Sequence, residues 1–432
     1  MTGGADLNKI LRLTFLMLFT IVVLTEGTNT PSFAQERTIS IVVDGLPLNF
    51  DVPPIIKDGR TLVPFRAVSE ALNVPVSWDE KSRTVTASDG ITRILLRIGD
   101  KTAYRNNAPV ALDVPPMIMN GRTLIPLRFF SEAFGCNVEW DNASYTVRIV
   151  SPRRKMAVIG FYALGDSRTS SWTNLFGKPY PEHSKGNTDA ISELALGWYS
   201  LDKGGNLLTQ SNTGWQRPAG WEDVLKVASL YNLRTEMVIH ATDSSGDITE
   251  LLSSKEAMEK LAEAIAEESK LYSGVNLDLE GLGLNESGEN LLKTRQNFTS
   301  FVRILSEKLD PSKTLTLTLH APNSAYKGYD YKTLGAIADR IIIMAYDYGS
   351  SPELVDKVLQ AIEMAKAEVP PEKLMLGISI PRETAQSLLT KIGIAKRYNL
   401  SGIALWRLGL ITKDQWEVLR KAVEPVNYQN GN

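Results

Sequence analysis

A short stretch with alternating polar and apolar residues, near the middle of the 432-residue chain, carries the side chains best suited to chemistry. Within residues 274–280, Asn276, Asp278 and Glu280 alternate with three aliphatic residues. A β-strand with this period places the three polar side chains on one face. Because unpaired carboxylates are costly to bury, a buried strand that keeps two of them predicts acid–base chemistry.

The flanking sequence indicates what kind of strand this is. Amphipathic helical patterns precede it at 253–272 and follow it at 289–309. A strand between two such helices is typical of a β-α-β unit, in which the strand is parallel and buried. The alternative that remains open is an edge strand whose polar face is solvated.

The chain from residue 155 to residue 427 repeats this alternation eight times. The strand patterns lie at 156–163, 190–200, 235–241, 275–280, 315–320, 340–346, 373–380 and 402–406. Helical patterns fill most of the gaps, which predicts an α/β fold of the (β/α)8 TIM-barrel type. A doubly wound open sheet is the alternative, although no glycine-rich phosphate loop follows the first strand.

In such barrels, functional side chains gather where the strands end, at the carboxyl face. Besides Glu280, the predicted strand ends carry Tyr162, Tyr199, Tyr346, Asp347 and Trp406. Aromatic rings stack on the C–H faces of sugars while carboxyl groups bind their hydroxyls, so the set predicts a carbohydrate site. For any single aromatic residue, packing in the core or rim is the alternative.

Residues 37–151 contain an internal duplication that predicts a small α+β domain before the barrel. GRTLVPFRAVSEAL at 59–72 recurs as GRTLIPLRFFSEAF at 121–134, and Trp78-Asp79 recurs as Trp140-Asp141. Each copy reads as strand, loop, proline-initiated short helix and two further strands. Two copies are too few for a solenoid, which predicts one compact module.

Composition excludes several classes of protein. The formal net charge is −2, so no nucleic-acid partner is predicted. Cys136 is the only cysteine, so a disulfide cannot form within one chain. Three histidines (His183, His240 and His320) are too few to predict a metal site, and no cofactor is expected. His240 and His320 fall near strand ends, where either a substrate contact or a structural role is open.

The first 34 residues read as an export signal. Lys9 and Arg12 precede the apolar run 13–24, and residues 32–34 resemble a cleavage site with small residues. The run is short for a membrane span, so a secreted or extracytoplasmic protein without a membrane span after signal removal is predicted. An uncleaved anchor is the alternative.

The duplicated motifs closely resemble the stalk domain that is named after the N-terminal domain of copper amine oxidases. Copper requires imidazole ligands, and residues 37–151 contain no histidine. The resemblance therefore implies an adhesion or spacer module that attaches to a cell wall or spore envelope. Arg60 and Arg122 could bind an anionic wall polymer, or could pair with Glu70 and Glu132.

The barrel region resembles glycoside hydrolase family 18, the chitinase-like family, over about 155–427. The family motif DGxDxDxE is similar to residues 273–280, with Ser273 and Asn276 in place of its first two acids. The asparagine variant is similar to the branch that acts on spore cortex and peptidoglycan. MAYDY at 344–348 and GIALWRLG at 402–409 resemble further motifs of the family. The short link after strand seven implies a shallow, open cleft.

The resemblance implies a role for each residue. Glu280 would protonate the glycosidic oxygen, and Asp278 would hold a 2-acetamido group whose carbonyl oxygen attacks the anomeric carbon. Tyr346 would bind that carbonyl, while Asp347, Asn276 and Trp406 would contact the sugar. Carboxyl spacing along a strand leaves retention and inversion open, and only the resemblance implies substrate-assisted retention.

Three hypotheses follow for the function. The first is an exported hydrolase that cuts β-1,4 bonds next to N-acetylglucosamine in peptidoglycan, spore cortex or chitin-like glycans. The second is a lectin-like protein that binds a wall polysaccharide without cleaving it, although Glu280 would then be unnecessary. The third is a purely structural envelope protein.

Overall fold

The protein is described from a computed structural model, which describes residues 38–163, 169–210 and 214–428. The predicted export signal lies outside the described residues. No helix among the described residues combines the length and the apolar character needed to cross a membrane.

The duplicated domain consists of short strands with one small helix in each repeat, as predicted. Its elements are β1 Ser40–Val43, β2 Leu46–Pro47, β3 Ile55–Lys57, β4 Arg60–Pro64, α1 Phe65–Ala71, β5 Val76–Asp79, β6 Thr84–Ser88, β7 Arg93–Arg97, β8 Thr102–Arg105, β9 Ala108–Ala111, β10 Met117–Met119, β11 Arg122–Pro126, α2 Leu127–Ala133, β12 Asn137–Asp141 and β13 Thr146–Val150. Pro64 and Pro126 directly precede the two helices. The two repeats share one apolar core, which explains why two copies suffice.

The repeats are joined through antiparallel pairing of β4 with β11. Val63 lies opposite Ile125, which is the equivalent residue of the other repeat, so a pseudo-two-fold axis passes through this pair. The same axis relates two ion pairs, Arg60 with Asp113 and Arg122 with Asp51. The predicted pairing of Arg60 and Arg122 with Glu70 and Glu132 is therefore wrong, because the repeats exchange partners across the axis.

The second region is a closed barrel of eight parallel strands surrounded by helices. Its elements are β14 Arg154–Tyr162, α3 Ser171–Phe176, β15 Glu193–Leu201, β16 Leu207–Leu208, α4 Trp221–Leu230, β17 Arg234–Thr242, α5 Asp247–Ser253, α6 Lys255–Glu268, β18 Gly274–Glu280, α7 Gly288–Lys308, β19 Thr314–His320, α8 Tyr331–Ile337, β20 Arg340–Met344, α9 Val355–Lys366, β21 Leu374–Ser379, α10 Ala385–Arg397, β22 Gly402–Trp406, α11 Lys413–Ala422 and β23 Val423–Pro425. The first barrel strand, β14, pairs with both β15 and β22 and closes the cylinder. Closure excludes the doubly wound open sheet.

The strand that carries the paired carboxyls is central. β18 hydrogen-bonds in parallel to β17 on one side and to β19 on the other, which excludes the edge-strand alternative. The barrel has an inner apolar cluster that includes Ile159, Val238 and Met375, and a larger cluster between the strands and the helices. β21 leads into α10 through residues 380–384 alone, so the link after the seventh barrel strand is short, as predicted.

A buried ion network fills the lower part of the barrel. Arg340 on β20 makes paired hydrogen bonds to Glu193 on β15 and a further bond of 2.7 Å to Glu236 on β17. Burial penalises the charge on Glu193, but Arg340 outweighs this effect and lowers the pKa of Glu193, whereas burial raises the pKa of Glu236. The network ties three strands together beneath the mouth of the barrel.

The duplicated domain packs on the barrel through the β1–β2 turn and α10. A Cβ atom on Gly45 would lie 2.1 Å from Thr390 Oγ1, and one on Gly393 would lie 2.6 Å from Asp44. Lys396 donates hydrogen bonds to Ser151 and Pro152, and burial lowers its pKa. Such close backbone approach requires glycine on both surfaces, so the contact is closely fitted.

Candidate active site

Glu280 ends β18 at the carboxyl face of the barrel, between two histidines. His240 Nε2, from β17, lies 3.3 Å from Glu280 Oε1, and His320 Nε2, from β19, lies 3.3 Å from Glu280 Oε2. His320 stacks on Tyr326 with ring centroids 3.9 Å apart. Burial lowers the pKa of His320, although the charges of Glu280 and Asp347 oppose this. The two imidazoles therefore fix the carboxyl group from both sides while its side chain stays 27% exposed.

Asp278 lies two residues deeper on the same face of β18. Its side chain is buried, and its Oδ1 atom finds no hydrogen-bond partner among the described residues. Burial, and then the charge of Glu280, raise the pKa of Asp278 well above its ordinary value. Burial and a neighbouring negative charge both favour the neutral form of this acid over its ionised form.

Tyr346 and Asp347 follow β20, which is separated from β18 by β19. Burial raises the pKa of Tyr346, and the charges of Asp278 and Glu280 raise it further. The phenol therefore keeps its proton and can donate a hydrogen bond. Asp347 is exposed and adopts a left-handed backbone conformation with φ of 64°. The buried carboxylate of Glu353 accepts the Asp347 N–H at 2.9 Å, which fixes this turn.

Three stacked rings form an apolar wall beside the acids. Trp406, at the end of β22, stacks on Trp215 with centroids 5.1 Å apart, and Trp215 stacks on His240 at 4.1 Å. Phe161 contacts Trp406 edge-on from inside the barrel. Gly197 makes room for this stack, because a Cβ atom there would lie 2.3 Å from the Trp215 ring. Of these rings, Trp406 is the one that the sequence singled out as a candidate sugar contact.

Two of the predicted substrate contacts lie elsewhere, which corrects the prediction. Tyr162 points outward beneath the helices, because along β14 it is Phe161 that faces the interior. Tyr199 is fully buried on the outer side of β15, where its hydroxyl bonds to Glu268 and Tyr272 and burial raises its pKa to about 12. A register shift between Gly197 and Tyr199 changes the alternation of that strand, so counting along the sequence gave the wrong face.

Asn276 also lies too deep to contact a sugar. It is fully buried, its amide donates to Glu236 at 3.3 Å, and its Oδ1 accepts a hydrogen bond from Thr318 at 2.8 Å. Two residues along a strand correspond to about 6.6 Å, which places it one layer below Asp278. Its role in the structure is to link β18 to the ion network below.

Sequence reasoning did not single out Trp215, and it left the roles of His240 and His320 open. Trp215 lies in a loop of low regularity after β15, where only the preceding Gly214 hints at a turn. The histidines each fall at the end of a strand adjacent to β18. That adjacency was the available signal, because in a parallel barrel neighbouring strand ends share one face.

The site offers a geometry that could also hold a cation. One ligand atom from each of His240, Asp278 and Glu280 lies within 4.8 Å of the others. Two carboxyls and an imidazole are suitable donors for several divalent metals. The same three groups nevertheless suit proton transfer, since the raised pKa of Asp278 favours its neutral form, which is a poor ligand.

A closed (β/α)8 barrel with paired acids and an aromatic wall at its carboxyl face belongs to the glycosidase-like class of barrels. The family described as Glycosyl hydrolases family 18 matches residues 159–381, more than half of the chain, and the chain belongs to that family. Residues 42–149 match the family described as Copper amine oxidase N-terminal domain.

Two curated proteins of Bacillus species are similar to part of this chain. The cortical fragment-lytic enzyme of Bacillus anthracis is 27% identical over 131 residues, which cover 24% of this chain and 30% of that protein. The putative sporulation-specific glycosylase YdhD of Bacillus subtilis strain 168 is 27% identical over 208 residues, which cover 44% and 45%. The chain thus matches less than half the length of these relatives.

The crystal structure of the Bacillus cereus spore cortex-lytic enzyme SleL is similar in fold. Its TM-score is 0.52 at 16% identity, and the match covers 64% of this chain and 77% of that one. At this identity the likeness supports the fold alone.

Proposed function

We propose that the protein is an exported glycosidase that cleaves β-1,4 bonds next to N-acetylglucosamine in peptidoglycan or spore cortex. The observation that carries the proposal is Glu280, a partly exposed carboxyl held by two imidazoles directly above a buried second acid. Membership of family 18 supports the class of substrate, as do relatives named as a cortical fragment-lytic enzyme and a putative sporulation-specific glycosylase. The predicted export signal supports action outside the cytoplasm, in the wall or spore envelope.

The geometry supports different roles for the two acids. Glu280 donates its proton to the glycosidic oxygen as the bond to the anomeric carbon breaks, and later takes a proton from the attacking water. Asp278 passes its proton to Glu280 when the substrate binds, and its carboxylate then accepts the N–H of the substrate's acetamido group, so that Glu280 is protonated before the glycosidic bond breaks. Retention follows from the acetamido mechanism itself, because the substrate's own carbonyl oxygen attacks first and water then attacks the intermediate from the opposite side.

The remaining residues position the sugar. Tyr346 donates a hydrogen bond to the acetamido carbonyl oxygen, which attacks the anomeric carbon in place of a protein nucleophile. Asp347 binds a hydroxyl at the exposed rim, and Trp406 stacks beneath the ring. His240 and His320 keep Glu280 in the orientation that protonation requires.

The test is turnover of purified glycan strands from cortex and wall, and of chitooligosaccharides, by the full chain, with fragments identified by mass spectrometry. Glu280→Gln should lower kcat by about 10²–10⁴-fold because the proton donor is lost. Glu289→Gln, an exposed substitution of the same kind in α7, is the matched control. Activity that survives EDTA would separate proton transfer from metal-assisted chemistry.

Two results would end the proposal: no fragments from any of these glycans, or release that Glu280→Gln leaves unchanged. Tight binding of oligosaccharides without cleavage would instead support the lectin-like alternative.

A further inference from the structure

Two cavities of similar size lie in the duplicated domain, away from the barrel mouth. The first, of about 540 Å³, is lined by Arg128, Glu132 and Trp140 of the second repeat together with Ile56 and Arg60 of the first. We call it the first cleft. It combines a partly exposed indole, an exposed aliphatic side chain and charged groups, because Trp140 is 37% and Ile56 46% exposed.

The second cleft, of about 470 Å³, repeats this arrangement with the repeats exchanged. It is lined by Arg66, Glu70 and Trp78 of the first repeat together with Ile118 and Arg122 of the second. Ile118 is 43% exposed, and the Trp78 indole donates a hydrogen bond of 2.6 Å to Glu80, which fixes the ring.

The two clefts are equivalents related by the pseudo-two-fold axis. Every residue that lines the second cleft has its counterpart, 62 positions away, in the lining of the first, as Trp78 (78 + 62 = 140) has in Trp140. The two repeats differ at many positions, yet both linings have the indole, the isoleucine and the arginine–glutamate pair. Two matching clefts on one rigid module are the arrangement expected for a ligand that itself has repeating units.

The charges of the clefts indicate which polymer fits. Each cleft has two arginines and three carboxylates in its lining, and one arginine is already held by an aspartate of the other repeat, as Arg60 is by Asp113 at 2.6 Å. This balance disfavours a polyanion. An indole face with mixed donors and acceptors around it instead suits a glycan, whose C–H groups stack and whose hydroxyls and amides hydrogen-bond.

We propose that the duplicated domain is a two-site carbohydrate-binding module that holds two stretches of an uncharged amino-sugar chain, one in each cleft. The inference deepens the proposed function, because it assigns the same class of polymer to a second surface. The closely fitted contact between the β1–β2 turn and α10 holds the clefts at a fixed orientation to the barrel. Binding at two linked sites strengthens attachment to a polymer without any new contact.

The experiment measures binding to insoluble peptidoglycan and to chitin by co-sedimentation, using the full chain with Glu280→Gln so that the polymer stays intact. Trp78→Ala and Trp140→Ala should each weaken polymer binding by about tenfold or more, because one of two linked sites is lost. The double variant should keep only the binding that the barrel supplies. Tyr104→Ala, at an exposed aromatic residue of the same domain outside both cleft linings, is the control.

Two further measurements distinguish a loss of polymer binding by the clefts from misfolding and from a failure of the proposed function. Arg66→Ala with Arg128→Ala changes exposed groups of both clefts and serves if a tryptophan variant fails to fold. Turnover of short soluble oligosaccharides, with Glu280 intact, should be unchanged in all cleft variants. If that turnover is absent but polymer binding still depends on the two tryptophans, the proposed function is wrong and the proposal of a carbohydrate-binding module is supported. Polymer binding that the double tryptophan variant and the double arginine variant leave at the parental level would overturn the module.

Discussion

The raised pKa of Asp278 predicts a specific dependence of stability on pH. The folded protein keeps the Asp278 proton while the unfolded chain loses it above its ordinary value of 3.8. From that pH upward the folded state binds one proton more than the unfolded state, so wild-type stability falls as pH rises until Asp278 ionises in the folded protein. Asp278→Asn keeps the shape of the side chain but removes the titrating proton. The variant should therefore not show this loss of stability as pH rises.

The magnitude follows from the linkage of one proton. The free energy of unfolding of Asp278→Asn, relative to wild type, should increase by about 1.4 kcal/mol for each pH unit above pH 4 and then level off. Urea unfolding at intervals between pH 4.5 and 7.5 measures this difference. Activity should fall at every pH, because the amide at position 278 cannot supply a proton to Glu280.

Repeating the comparison in the Glu280→Gln protein separates the two causes of the raised Asp278 pKa, which are burial and the charge of Glu280. With Glu280→Gln already present, the neighbouring charge is gone and only burial remains, so the rise with Asp278→Asn should level off at a lower pH. Asp310→Asn is the control, because hydrogen bonds from Ser312 lower the pKa of this exposed carboxyl and it is ionised in both states over that range. Parallel stability curves for wild type and Asp278→Asn would refute the reasoning.

Three further predictions concern the network, the domain contact and the wall. Arg340→Met should cost about 3–5 kcal/mol of unfolding free energy in urea, because Glu193 and Glu236 stay buried without their cation, whereas Arg128→Met, at a surface pair, should cost under about 1 kcal/mol. Gly45→Ala should lower the melting temperature more than Gly59→Ala: both glycines have positive φ, but only the first methyl group would collide with Thr390; equal losses would argue against the fitted contact. Trp406→Ala should raise KM for oligosaccharides about tenfold, equivalent to ~1.4 kcal/mol of stacking, while Tyr162→Phe should leave KM unchanged; the opposite pattern would place the sugar elsewhere.

Much of the architecture was predictable because it depends on periodicity. Eight alternations of strand and helix predicted the barrel, and the acids at 278 and 280 were recognisable because strand alternation and strand ends can be counted in the sequence. The duplication was visible as a repeat, and two copies, which are too few for a solenoid, predicted one compact module.

Tertiary structure decided which side chains meet. The shift in register at Gly197 turned Tyr199 away from the cleft, and no periodic pattern reports such a shift. Arg60 and Arg122 each pair with an aspartate of the other repeat. His240 and His320 both approach Glu280. All of these contacts join residues that are tens of positions apart in the sequence. The sequence by itself determined which residue types were available at each strand end. Only closure of the barrel and pairing of the repeats decided their neighbours, because contacts between distant segments depend on register and packing that no local pattern encodes.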